Sequence, residues 1–149
     1  MANFGNIPVY ALRFMVIYFI VTNAIAIALF PGGTLFHPEL EIYSFSENFF
    51  SDLGITFTKD GTQNYLSSFL FNSSLLVLGL CAVTHIFVPK LFKENKKSYI
   101  LSIIAAILFV IAGLSFIGVG LTPADIYFEE HVWFVIFAFN AQTIGVLFM

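Results

Sequence analysis

Tyr99-Ile-Leu-Ser-Ile-Ile-Ala-Ala-Ile-Leu-Phe-Val-Ile-Ala-Gly-Leu-Ser-Phe-Ile-Gly-Val-Gly-Leu121 contains no charged residue. At a helical rise of about 1.5 Å per residue this run outreaches a hydrocarbon core about 30 Å thick. Backbone inside lipid must satisfy every donor internally, and an apolar run this long can do so only as a helix. On either side lie three more runs of the same kind, Pro8–Phe30, Tyr65–Val88 and Val132–Met149. Each is near or above the roughly 18 to 20 apolar residues that a crossing needs. The expected fold is all-α: a polytopic transmembrane helical bundle with four spans (about 8–30, 65–88, 99–121 and 132–149) in a single domain covering 1–149.

Composition excludes the soluble class. Hydrophobic residues make up 59% of the chain and charged residues 10%, with a mean hydropathy of +0.93; soluble domains carry about 25% charged residues. The net charge of −3 leaves no electrostatic footprint for nucleic acid. Cys81, the lone cysteine, lies inside an apolar run and reads as a small buried hydrophobe. The 20 phenylalanines read as lipid-facing surface. The first run is too long for a signal-peptide core and is expected to persist as a signal anchor.

Lys90, Lys93, Lys96 and Lys97 cluster between the second and third runs, and Arg13 lies near the start of the first. Segment 31–64 carries only Lys59, and 122–131 carries no Lys or Arg. The positive-inside rule therefore predicts a cytoplasmic N-terminus, with 31–64 and 122–131 outside. A bacterial inner membrane is the expected location. The last run closes on Gly145-Val-Leu-Phe-Met149 with no polar or basic flank, so either the fourth helix stops at the far interface or, the reading preferred, the sequence is a fragment of a longer protein.

Within 31–64, Ser44-Phe-Ser-Glu47 fits a capping box, and Phe45, Phe49 and Leu53 recur at helical spacing before Gly54. This predicts a short amphipathic helix over about 45–53, lying in the interface either as a cap or as a lid over a cavity. Asp60-Gly61 predicts a turn into the second span.

Polar side chains inside a span point into the bundle or into a cavity. Asn23, Asn72, Ser115 and Asn140 all fall roughly 9 to 14 Å beneath the outer face, by helical rise from the span ends. They define a candidate polar layer with two readings: hydrogen-bonded packing between helices, or the floor of an outward-opening ligand pocket. Ser102-x-x-x-Ala106, Ala141-x-x-x-Gly145 and the thin edge of Gly113, Gly118 and Gly120 offer close helix contacts.

Above this layer Asp52, Asp125 and His131 gather at the outer mouth. Carboxylate and imidazole suit a divalent metal such as zinc, or a base and its orienter. They are the candidate catalytic and metal-binding residues, although no HExxH, CxxC or GxSxG spacing accompanies them. No cofactor is evident from the sequence beyond this metal option. His37 reads as a solvated loop residue, and His85 as an interfacial imidazole rather than a haem or pigment ligand.

Ser51-Asp52-Leu53-Gly54 after the first span, then Gly120-x-x-Pro123-x-Asp125 leading to His131, resembles a prokaryotic family of six-span integral membrane proteins of unknown function. That family is similar in turn to the damage-regulated autophagy modulator and FGF-receptor-activating protein group. The resemblance implies six spans, of which four are present here. It also implies that Asp52, Asp125 and His131 belong to one site touching lipid headgroups.

The function expected is non-enzymatic: a lipid or small-ligand binder, or an accessory subunit of a membrane complex. Its partners would be membrane lipids and other membrane subunits or the missing helices, and not nucleic acid. The alternative is an intramembrane metal-dependent lipid hydrolase or transferase using Asp52, Asp125 and His131. A transport subunit is the weakest reading, because no charged residue lies deep in a span.

Overall fold

Pro8 stands in the first turn of the first helix, where its missing N–H costs nothing. Asn95 caps the third, its Oδ1 accepting from the amides of Lys97 (3.0 Å) and Ser98 (3.1 Å). In a computed structural model, which describes residues 6–34 and 36–149, these signals bound four helices: α1 (Ile7–Leu29), α2 (Tyr65–Val83), α3 (Lys96–Leu121) and α4 (Phe128–Leu147). Beyond Val83 the second span tightens into a 3-10 helix over Thr84–Leu91, which includes Pro89, so the continuous apolar helix runs Tyr65–Leu91. All four are long and apolar enough to cross a membrane.

Two helix starts differ by three residues or more from those read in the sequence, and both move outward into charge. α3 begins at Lys96 because the Asn95 cap captures the lysines. α4 begins at Phe128 because Glu129 and Glu130 suit the positive end of a helix dipole in its first turn.

Packing follows chain order: α1 on α2, α2 on α3, α3 on α4. The middle spans are the more buried, and α1 and α4 form the flanks. At the α2–α3 crossing two glycines meet backbone to backbone. A Cβ built on Gly79 would lie 2.4 Å from the Gly113 carbonyl oxygen, and one on Gly113 would lie 2.6 Å from that of Gly79. Gly118 in turn makes room for the ring of Phe134, fixing α3 against α4. The thin edge of α3 is thus filled by neighbouring helices.

The segment between α1 and α2 folds over one end of this row. The helix expected over 45–53 is replaced by turns followed by a short 3-10 helix, Phe50–Gly54. The amide of Ser44 donates to Asn48 Oδ1 (3.0 Å), and the amide of Phe49 donates to Asp52 Oδ2 (3.0 Å). Asn48 and Asp52 therefore capture amides locally and compete with a longer helix. Glu47 takes no part in the expected capping box. Of the expected apolar stripe only Leu53 is buried; Phe45 and Phe49 are 78% and 76% exposed.

Leu53 enters the core with Ile55, Phe71, Leu75, Phe116 and Val119. It carries irregular backbone down among the helix ends, and that backbone must find partners there. α2 supplies them. Asn64 Nδ2 donates to the carbonyls of Leu53 (3.1 Å) and Ile55 (2.9 Å), Ser67 Oγ to Leu53 (3.2 Å), and Ser68 Oγ to Gly54 (2.8 Å). Asn72 Nδ2 adds a second donor to Gly54 (3.0 Å). The turn at Asp60-Gly61 forms as the sequence indicates. Gly61 takes a φ of 87°, Asp60 accepts from Thr58 and Thr62, and an antiparallel bridge joins Phe57 to Gln63.

Candidate functional site

The four residues of the proposed layer do not form one network. Asn23 is buried on α1 and donates to the Phe19 carbonyl (2.8 Å) and across to Ser74 Oγ on α2 (2.9 Å). Asn72 serves the Gly54 carbonyl and Ser68 Oγ. Ser115 bonds back to Ile111 within its own helix (2.9 Å). Asn140 departs from the inward orientation expected of it: it is exposed on α4, with Nδ2 on the carbonyl of Ile136 (2.8 Å). Helical depth alone misplaced it, since depth carries no information about which face a residue occupies. Asn23 and Asn72 hold segments together, so the packing reading describes their hydrogen bonds.

Asp52, Asp125 and His131 do line a common cavity. It measures about 420 Å³ and lies between the 31–64 segment and the first two turns of α4. Ligand pockets commonly run about 300–1,000 Å³. Its walls are mainly apolar, with Phe49 and Ile55 on one side and Phe128, Val132, Val135 and Ile136 on the other. Glu47, Asp52, Lys59, Asp125 and His131 supply its ionisable groups. Val132 and Ile136 remain partly exposed on α4, so the cavity opens onto the helix face that lipid would cover.

Each of the three predicted residues plays a distinct part. Asp52 Oδ2 accepts from the Phe49 amide and from Asn48 Nδ2 (3.1 Å), which fixes the 3-10 helix. Burial pushes the nearby Tyr43 phenol up, and the Asp52 charge adds to the shift. Asp125 Oδ2 accepts from the Thr56 hydroxyl (2.5 Å) and the amides of Thr56 (3.0 Å) and Phe57 (3.1 Å). Partial burial would raise this carboxyl, but the three donors outweigh it and hold its pKa below the usual carboxylate value. Asp125 is thus a clamp between the α3–α4 turn and the α1–α2 segment.

His131 is buried, 5% exposed, in the first turn of α4. Its Nδ1 lies 2.7 Å from the Thr122 carbonyl. A carbonyl only accepts, so Nδ1 carries a proton, and in the neutral tautomer that this leaves Nε2 is the acceptor. Nε2 is buried and has no hydrogen-bond partner. An unpaired polar atom in such surroundings costs about 1–3 kcal/mol, which a bound donor would recover.

Among the described residues no three His, Cys, Asp or Glu side chains converge as metal ligands. Both carboxylates of the predicted set already spend an oxygen on backbone amides. His37 contacts Glu39 (3.1 Å) and lies 3.9 Å from Glu47, exposed in the loop. His85 stacks on Phe109 of α3 with ring centroids 4.3 Å apart, and its Nδ1 meets the Ala82 carbonyl at 3.0 Å. The apolar lining from α4 and the Asn64/Ser67/Ser68 set beside Asn72 carry no functional reading in the sequence. The spacing of the latter on one helix face was the available signal. No known protein family, curated protein or solved structure matches the chain.

Proposed function

We propose that this chain is a non-enzymatic integral membrane protein that binds an amphiphile in the His131 pocket. The apolar tail would lie along Phe128, Val132 and Ile136, and the head would reach His131. The unpartnered, buried Nε2 of His131 carries this reading, because it asks for a donor from outside the protein. Around it stand Glu47, Asp52 and Asp125 against Lys59 alone, a balance that favours a head bearing an amine or hydroxyl over a phosphate. The lysine-rich α2–α3 connection supports an N-terminus in the cytoplasm and a pocket at the outer face of a bacterial inner membrane. The amide commitments of Asp52 and Asp125 weigh against a metal-dependent hydrolase.

Titrating the full chain in a non-ionic detergent with dodecylamine, and separately with dodecyl phosphate, tests this. Saturable binding of the amine, lost in His131→Phe, is the expected result. Preference for the phosphate, or amine binding that survives His131→Phe unchanged, would contradict it.

A further inference from the structure

A second cavity, of about 480 Å³, lies at the lysine-rich end of the bundle, between the Thr84–Leu91 helix and α3 from Tyr99 to Ile111. Apolar residues of both elements form a trough, with Ile86 and Pro89 facing Ile103, Ile107 and Ile111. Ala106 is 6% exposed and contributes a small side chain that leaves the trough its width. Tyr99 to Ile111 is about 18 Å of helix, a little more than the roughly 15 Å depth of one leaflet's hydrocarbon. Lys90, Lys93 and Tyr99 line the polar end.

Lys90 lies with its Nζ 5.1 Å from the centre of the Phe87 ring, and Lys93 is exposed. Lys96 and Lys97 follow, and Glu94 is the one acid in this stretch. The cavity therefore combines a cationic mouth with an apolar floor of one leaflet's depth. A free phosphate would use the mouth and leave the floor bare; an uncharged lipid would use the floor and not the mouth. Both halves are matched by one molecule.

We propose that this groove seats an anionic phospholipid, its phosphate at Lys90 and Lys93 and one acyl chain along Ile103, Ile107 and Ile111. The site is separate from the His131 pocket and independent of its occupant. Near a membrane surface each lysine is worth about 1 kcal/mol toward an anionic lipid, or roughly fivefold in affinity.

The test is native mass spectrometry of the delipidated full chain titrated with dioleoyl phosphatidylglycerol or dioleoyl phosphatidylcholine. Wild type should take up the anionic lipid at least about fivefold more tightly. Lys90→Gln/Lys93→Gln should abolish the difference, whereas Lys96→Gln/Lys97→Gln, outside the groove, should retain most of it. Ile107→Trp, which fills an exposed part of the trough, should weaken uptake of the anionic lipid with both lysines intact. Equal uptake of the two lipids by wild type would overturn the proposal. So would equal losses in the two lysine pairs, which indicate a diffuse surface charge, or unchanged uptake in Ile107→Trp. Circular dichroism of each variant identifies any that has lost its helices, and Lys93→Gln alone then replaces the pair, with a severalfold loss expected and no loss overturning the site.

Discussion

Asp125 and His131 stand six positions apart and answer to different demands. The carboxylate is fully engaged at one oxygen by Thr56 and Phe57, while the imidazole is engaged at Nδ1 and bare at Nε2. Their gathering at one mouth was legible in the sequence, because both sit at the joint between two spans. Which one was committed to structure was not legible, since Thr56 lies far away in the chain and only the folded loop brings its donors over. Asp125→Ala should leave the spans intact and loosen the loop by about 1 kcal/mol, because the hydrogen bonds it removes face water on one side. Hydrogen exchange at the Thr56 and Phe57 amides would rise severalfold; unchanged protection would show the clamp to be idle. The pH sign follows from the depressed pKa. The clamp is fully present above the ordinary aspartate value of about 3.9 and is lost as pH falls through the lower folded value. Loop protection, corrected for intrinsic exchange, should therefore hold at neutral pH and fail only in acid.

Elements are held here by close backbone approach and by side chains serving foreign carbonyls. Gly79 and Gly113 let α2 and α3 touch, and nothing in an apolar run distinguishes such a glycine from a lipid-facing one until its partner is known. Gly79→Ala would push a methyl into the Gly113 carbonyl and should cost about 1–3 kcal/mol as the helices part. Gly61→Ala meets no neighbour, but the alanine must adopt a φ of 87°, which costs about 1–2 kcal/mol confined to the turn. Cysteine pairs placed across α2 and α3 would report the difference: slower crosslinking in Gly79→Ala and unchanged crosslinking in Gly61→Ala. Equal effects would mean that the glycine contact does not set the α2–α3 distance. The 45–53 prediction failed at this same scale. Its periodicity was real, but Asn48 and Asp52 offered the backbone local partners, and the carbonyls of Leu53, Gly54 and Ile55 were drawn to α2. The Asn64, Ser67, Ser68 and Asn72 face was written in the sequence at helical spacing, and it reads correctly once irregular backbone is known to be buried against it.

At the scale of the whole molecule, the number of spans and their order were fixed by hydrophobic length alone, the strongest signal any chain carries. Sidedness rests on the lysine cluster, and the pocket rests on a loop whose path no periodicity encodes. In intact cells, with Cys81→Ser as background, Lys59→Cys should be labelled by an impermeant maleimide and Lys96→Cys should be protected; the reverse pattern would invert the topology. Under the proposed function, an amphiphile with a donor-bearing head occupies the cavity between the 31–64 segment and α4. A long-chain amine carrying a photoreactive group midway along its tail, activated on the full chain and mapped by peptide mass spectrometry, tests this most directly. Adducts should concentrate on Phe128–Ile136 and Phe49–Ile55, and should be competed by unlabelled amine and lost in His131→Phe. Adducts spread evenly over the exposed faces of α1 and α4, indifferent to competition and to His131, would contradict it.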